Sequence, residues 1–325
     1  MKAIVVTEFG GPEKMDVKDL PIPVVQPKQV LIQVAYASVN FADIKARYGN
    51  KGAVPPFVPG LDAAGVIVQI GSEVKHLQVG QRVMAFPSDG SYAEYVTANE
   101  NLTFPIPDDL DFATAAACPT VSMLSYKLLV DVGRLEPGES VLVHSAAGGV
   151  GTTAIQMAKI GGAGLVIGTV GNRGKIETAL KAGADHVICY EEEDFPARVN
   201  ELTNGEGVDI VLDSLSGWVA EKSLDCLAKY GRLVHFGNSS GKTAQFKTSD
   251  LHSSCRSILG FSLGTTRKMR PDTLRPTAEA VLAYLASGRL SIPIGKRYKL
   301  EEANLAHAYM EARQTKGKIL LEVKP

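Results

Sequence analysis

A chain of 325 residues is too long for one ordinary core and fits two domains. Apolar residues make up 45% and charged residues 21%, an ordinary globular composition, and a net charge of −1 excludes nucleic-acid binding driven by clustered Lys and Arg. No segment approaches the roughly 18 unbroken apolar residues of a membrane helix, and the N-terminus lacks a basic leader with an apolar core, so no membrane partner and a cytoplasmic location are expected.

The first third reads as β structure. Ala3–Val6, Val30–Val39 and Ala64–Gly71 are short apolar runs, separated by Pro and Gly clusters such as Pro55-Pro56 and Pro59-Gly60. Such runs predict a sandwich or barrel-like unit. From Phe112 to Gly133 the pattern turns helical, with Pro119 near a bend. Strands are then predicted at Ser140–Ala146, Leu165–Val170, His186–Tyr190, Val208–Leu215 and Arg232–Gly237. Helices follow Gly149 and cover Arg173–Ala182, Asp194–Thr203 and Val219–Lys229. Strand and helix alternate at βαβ spacing, and the strands are nearly continuous apolar runs, as in a parallel sheet covered on both faces. A helix over Thr273–Ser287, a helix over Glu301–Arg313 and a strand Lys318–Val323 close the chain, and this last part is expected to return to the first domain.

Cys118, Cys189, Cys226 and Cys255 are far apart and form no CxxC pair. They predict neither a disulfide framework nor a structural zinc site. The six histidines show no ligand spacing, and no metal is expected.

The strongest local signal is an apolar strand ending in Ala146-Ala147-Gly148-Gly149-Val150-Gly151, where a helix begins at once. Small residues let backbone approach a pyrophosphate, and the helix N-terminus offers free N–H groups. The match to G-x-G-x-x-G is imperfect, because Ala146 takes the place of the first glycine. An NAD site carries an acidic residue about 20 positions on, for the ribose 2′-OH. Here that stretch reads Gly171, Asn172, Arg173, Gly174 and Lys175, two cations and no carboxylate. Cations suit a 2′-phosphate, so NADPH is favoured over NADH.

These motifs resemble the quinone oxidoreductase/zeta-crystallin family, within the medium-chain dehydrogenase/reductase superfamily. The likeness is carried by the glycine turn with Gln156 and Lys159, by Ser38-Val39-Asn40-Phe41 with Asp43, by Pro59-Gly60 with Asp62, by Val79–Val83, and by Gly317-Lys318. It implies an α/β fold, with a Rossmann doubly wound parallel sheet (123–264) inserted in a GroES-like catalytic domain (1–122 plus 265–325) and the active site in the cleft. It implies homodimers or homotetramers, and an NADPH-dependent enzyme acting on a small-molecule quinone or enone. The zinc-binding branch has a His-Glu pair where Leu61-Asp62 stands here, so hydride transfer is expected to proceed without zinc.

The resemblance also assigns residues. Asn40, Asp43 and Tyr48 would line the substrate side as catalytic residues. Asn40 and Tyr48 would donate to the acceptor oxygen, with turn capping as the plainer role for Asn40 and Asp43. Tyr126 would lie beside the cofactor, although Leu124 replaces the family's threonine. Gly148, Gly149, Val150 and Gly151 would hold the pyrophosphate. Gly171, Asn172, Arg173, Lys175 and Tyr190 would surround the adenosine end. Leu215, Phe236, Gly237, Asn238, Ser239, Phe261 and Leu263 would line the cofactor, and Arg313 and Lys318 would close over it. Two alternatives stay open: a 2-alkenal or enoyl reductase of the same superfamily, and a non-catalytic NADPH- and RNA-binding protein.

Overall fold

Strand Gln29–Val39 is the spine of the first unit. Val30, Ile32, Val34, Ala37 and Val39 are all buried along it, and β-branched side chains favour this extended, packed surface. The computed structural model describes residues 1–50 and 52–324. One edge of the spine pairs antiparallel with Asp62–Ile70, which leads on to Arg82–Ala85 and Thr103–Pro105. The other edge is shared. Tyr95–Asn99 pairs with its first half and Lys318–Glu322 with its second. Strand Ile294–Lys299 runs parallel beside Lys318–Glu322, completing a seven-stranded sheet. The C-terminal segment therefore returns to the first unit, and the pairing sets Lys318 next to Val39 and Asn40.

The second unit is a six-stranded parallel sheet. Its spatial order is His186–Cys189, Leu165–Val170, Ser140–Val143, Val208–Asp213, Leu227–His235 and Ser257–Gly260. This is the 3-2-1-4-5-6 order of a doubly wound nucleotide fold. The order reverses beside Ser140–Val143, and in such sheets ligands bind outside the carboxyl ends of the strands at that reversal. Leu142, Ile167, Val211, Leu233 and Phe195 belong to the buried cluster beneath it. Each such side chain contributes about 1.5–3 kcal/mol by leaving water.

The compact units comprise residues 1–123, 266–288 and 292 onward in one, and 124–265 with 289–291 in the other. Some elements differ from expectation. The helix expected over Val219–Lys229 covers only Trp218–Ser223, because Leu227 already pairs with Val208 in the sheet. Ser257–Gly260 adds an edge strand of four residues, too short to be read from pattern. The helical run Phe112–Val132 has the length and apolar content of a membrane-crossing helix by those criteria alone, and 78% of its most apolar window is buried within the protein.

Candidate functional site

Each unit carries one group of functional residues. In the second, the strand after Ser140 ends at Val143, and Ser145 adopts a left-handed φ of 55° to reverse the chain. Gly148 then opens helix Gly149–Ile160, whose N-cap makes no side-chain hydrogen bond. The first-turn N–H groups thus face outward without a side-chain cap, the arrangement that receives an anion. A Cβ on Gly151 would stand 2.4 Å from Ser145 O and 2.7 Å from Ala146 Cα, so only glycine lets the helix start this close to the turn. Ala146 replaces the usual first glycine because space is left elsewhere: its Cβ lies 2.7 Å from where Gly168 would carry one. This cradle fits a dinucleotide pyrophosphate.

At the end of strand Leu165–Val170, a Cβ on Gly171 would come within 2.8 Å of the Tyr190 hydroxyl. The fold therefore brings Gly171, Asn172, Arg173 and Tyr190 to one sheet edge, with Lys175 ending the short turn Arg173–Lys175. The Arg173 side chain is 78% exposed and its Nε is ion-paired with Glu192 Oε2. That hydrogen bond and charge raise the guanidinium pKa further. Glu192 lies in the acidic run Glu191–Asp194 ahead of helix Phe195–Leu202, where nothing in the local sequence points to this contact. Asp194 does cap helix Phe195–Leu202 through Ala197 N.

Beyond the next two strands, Asp213 organises the backbone. Burial opposes its charge. The hydrogen bond from His235 Nδ1 at 2.7 Å and those from Ser216 N and Leu215 N nonetheless hold the carboxyl below its ordinary range. Phe236 N donates to Asp213 O, and both the N–H and the hydroxyl of Ser239 donate to Ser214 O at 3.0 Å. These bonds fix Leu215 and the loop Phe236–Ser239 at the carboxyl end of the sheet. Phe261 N donates to His235 O, and Leu263 is buried at the start of the following helix. His144 is enclosed, bonded to Thr169 Oγ1 and Ser223 Oγ at 2.8 Å each, and burial pushes its pKa down to about 4. It is a neutral structural imidazole.

The first unit holds a buried polar network where strand Gln29–Val39 passes into helix Phe41–Arg47. Asp43 Oδ2 accepts from Asn40 N at 2.8 Å, tying down the helix start, and from the Tyr92 hydroxyl at 3.1 Å. Tyr92 in turn meets His307 Nε2 at 3.1 Å. Burial drives the Asp43 carboxyl up to about 7, against the Asn40 N–H that favours its charge. Asp62 gathers Ser38 Oγ at 2.7 Å, Asn40 Nδ2 at 2.8 Å and Thr120 Oγ1 at 2.5 Å. Lys318 Nζ lies 3.6 Å from Asp62 and donates to Asn40 Oδ1 at 2.8 Å and Val39 O at 3.2 Å. Burial lowers the Lys318 pKa, while Asp62 and Asp43 oppose that shift.

Three expected site residues stand in unexpected surroundings. Lys318 is buried at the root of Asn40. The Tyr48 hydroxyl bonds to Glu311, and its ring lies under the Arg47 guanidinium. Arg313 is exposed with φ 55° just after helix Ala303–Glu311. Tyr126 ends helix Phe112–Tyr126, half-buried. Thr120 and His307 enter the network from helices Phe112–Tyr126 and Ala303–Glu311 without any motif to announce them, and only the tertiary packing reveals them.

A model described as an alcohol dehydrogenase GroES-like domain matches residues 26–108, and one described as a zinc-binding dehydrogenase matches residues 149–280. The chain is 35% identical over 326 residues to quinone oxidoreductase 1 of Escherichia coli, covering 97% of each. The chain belongs to the quinone oxidoreductase family. A mycobacterial structure complexed with NADPH superposes with a TM-score of 0.93 at 34% identity, covering 99% of this chain and 100% of that one. The Escherichia coli quinone oxidoreductase complexed with NADPH gives 0.92 at 33%, over 99% and 100%.

For this member of the quinone oxidoreductase family, the residues do not fit the zinc that the description of its second matching model implies. Around Asp62 stand two hydroxyls, an amide and an ammonium, whereas zinc takes thiolate, imidazole and carboxylate ligands. Burial pushes the Cys118 thiol up to about 12, far from the thiolate a metal needs. His307 is engaged by Tyr92. Among the described residues, no group of three or more His, Cys, Asp or Glu is arranged to hold a metal ion.

Proposed function

We propose that this protein is an NADPH-dependent reductase that delivers hydride to a quinone or a similar conjugated carbonyl without a metal. The observation that carries the reading is the sheet edge where Gly171, Arg173 and Tyr190 meet beside the glycine turn. It offers a cation and a hydroxyl to a 2′-phosphate. The two NADPH complexes among similar structures support it. When bound, NADPH supplies the hydride from C4 of its nicotinamide.

The chain's residues supply binding and orientation. The uncapped helix N-terminus at Gly149 takes the pyrophosphate. Arg173, Lys175 and Tyr190 take the adenosine phosphate, and the loop Phe236–Ser239, with Leu215 and Tyr126, flanks the rest. Asn40, held by Asp62 and Lys318, and Asp43, held by the Asn40 N–H and the Tyr92 hydroxyl, belong to the acceptor side. An ammonium where a metal would be needed suits an acceptor that is already electrophilic. Assembly as a homodimer or homotetramer and a cytoplasmic location belong to the same reading and rest on the family resemblance.

Reduction at an enone carbon needs a proton donor beside that carbon. Tyr48, the donor suggested by the sequence, is directed to Glu311, which favours the quinone over the 2-alkenal or enoyl acceptor. The test is NADPH oxidation with 9,10-phenanthrenequinone, run beside 2-alkenals and crotonyl-CoA. Turnover of the quinone is expected. Turnover of the enoyl substrates alone would replace this reading with the enoyl reductase.

A further inference from the structure

Arg267 is a charged side chain that nothing above employs. It lies in helix Leu263–Met269, within the segment from residue 266 that returns to the first unit. Its guanidinium carbon stands 4.7 Å from the centroid of the Phe86 ring, and Phe86 is fully buried. Its Nε is buried and has no hydrogen-bond partner. Among the described residues, no carboxylate pairs with the guanidinium within ion-pair distance.

A half-buried cation held against an aromatic face, with its Nε shut off from water and unpartnered, is costly unless something compensates it. Asp62 and Asp43 are near enough to act on Arg267 electrostatically, while burial pulls its pKa down. Neither neutralises it fully. Asp62 is already shared by Lys318, Asn40, Ser38 and Thr120. The Asp43 carboxyl, raised to about 7, carries only part of its charge near neutral pH. Lys318 and Arg267 thus both bear on those two carboxyls, and only Lys318 lies within ion-pair distance of one of them.

A guanidinium with no paired carboxylate and an unpartnered Nε matches what the proposed reaction creates. Hydride addition gives the acceptor an electron pair and one hydrogen, leaving negative charge on a carbonyl oxygen until a proton arrives from solvent. Asn40 is poorly placed to meet that charge alone. Its Oδ1 faces Lys318, one amide hydrogen is committed to Asp62, and among the described residues the other partner of Nδ2 is Ser38 O at 3.5 Å.

We propose that Arg267 is a catalytic residue whose guanidinium binds the acceptor's carbonyl oxygen and stabilises the anion formed there, the part a Lewis acid plays in metal-dependent relatives. This rests on the reductase reading above. Fixed donors aimed at developing charge are commonly the largest electrostatic contribution to such steps.

The experiment is steady-state kinetics and NADPH binding of wild type, R267M and R267K. R267M is expected to lower kcat/KM for the quinone about 100-fold or more while NADPH affinity stays within about twofold. R267K, keeping the charge without the fork, is expected to recover part of the loss, and it also serves as the probe if R267M fails to fold. Weakened NADPH binding with unchanged acceptor kinetics would make Arg267 a cofactor anchor and overturn the proposal. So would unchanged values for both. A wild type inert toward every acceptor would sink the functional reading and this proposal together, whereas an active wild type with indifferent variants sinks this proposal alone.

Discussion

Lys318 donates to Asn40 Oδ1 at 2.8 Å, joining the first residue of the chain's last strand to the residue that opens helix Phe41–Arg47. The contact bridges 278 positions and sets the orientation of the Asn40 amide, so that Nδ2 is left to face Asp62. Lys318 is in this sense a positioning residue for the acceptor side.

Removing that ammonium leaves Asp62 buried and short of its cation. K318M is expected to lose about 3–5 kcal/mol of stability, the usual cost of breaking a buried pair from one side. D62N with K318M together removes both charges and should restore part of it. Urea unfolding of the three proteins checks this; equal stability of wild type and K318M would show that the pair does not hold the network.

The Asp43 carboxyl has its pKa raised from 3.8 to about 7 by burial. The folded protein keeps a proton that the unfolded chain releases near pH 4. This contribution is complete below about pH 4 and fades as pH rises through 7. Relative to D43N, wild type should therefore lose about 1–4 kcal/mol between pH 4 and 8. His144 works in the opposite sense. Lowered from 6.5 to about 4, it favours folding above pH 6.5 and loses that contribution as pH falls toward 4. A pH-independent difference between wild type and D43N would place the Asp43 proton elsewhere.

Glu192 competes for Arg173 with any phosphate that arrives there. E192Q should raise the preference for NADPH over NADH about two- to fivefold, in line with the modest worth of exposed ion pairs. R173A should lower it. Binding can be followed through Trp218, whose ring stands 6.1 Å from Tyr190. A fall in NADPH preference in E192Q would mean that Glu192 supports the phosphate rather than opposing it.

Gly151 has no room for a methyl group beside Ser145 O and Ala146. G151A must push the helix from the turn, costing about 1–3 kcal/mol and weakening NADPH binding by an order of magnitude or more. Thermal unfolding and cofactor titration report the two effects separately. Wild-type affinity in G151A would show that the cradle does not depend on this approach.

Local signals were readable in the sequence, and long-range ones were not. The strand, turn and helix around Gly148–Gly151 occupy consecutive residues, so their order alone announces a nucleotide cradle. The lack of an acidic residue within Gly171–Lys175 is local in the same way, but the Glu192 carboxylate that pairs with Arg173 comes from beyond the next strand. Lys318 reads as a cation at a strand start, yet pairing between Lys318–Glu322 and Gln29–Val39 carries it inside. Glu192 reads as a helix-start acid, and only the lateral order of strands Leu165–Val170 and His186–Cys189 brings it to Arg173. Arg267 sits where periodicity loosens after Gly241, with no motif to mark it. Leu227 could continue a helix or open a strand by its apolar neighbours alone, and sheet pairing with Val208 decided.

The most direct measurement is calorimetric titration of the purified protein with NADPH and, separately, NADH. The account predicts one tight NADPH site per chain with NADH at least tenfold weaker. Equal affinity for both, tighter NADH, or capture of neither would contradict it.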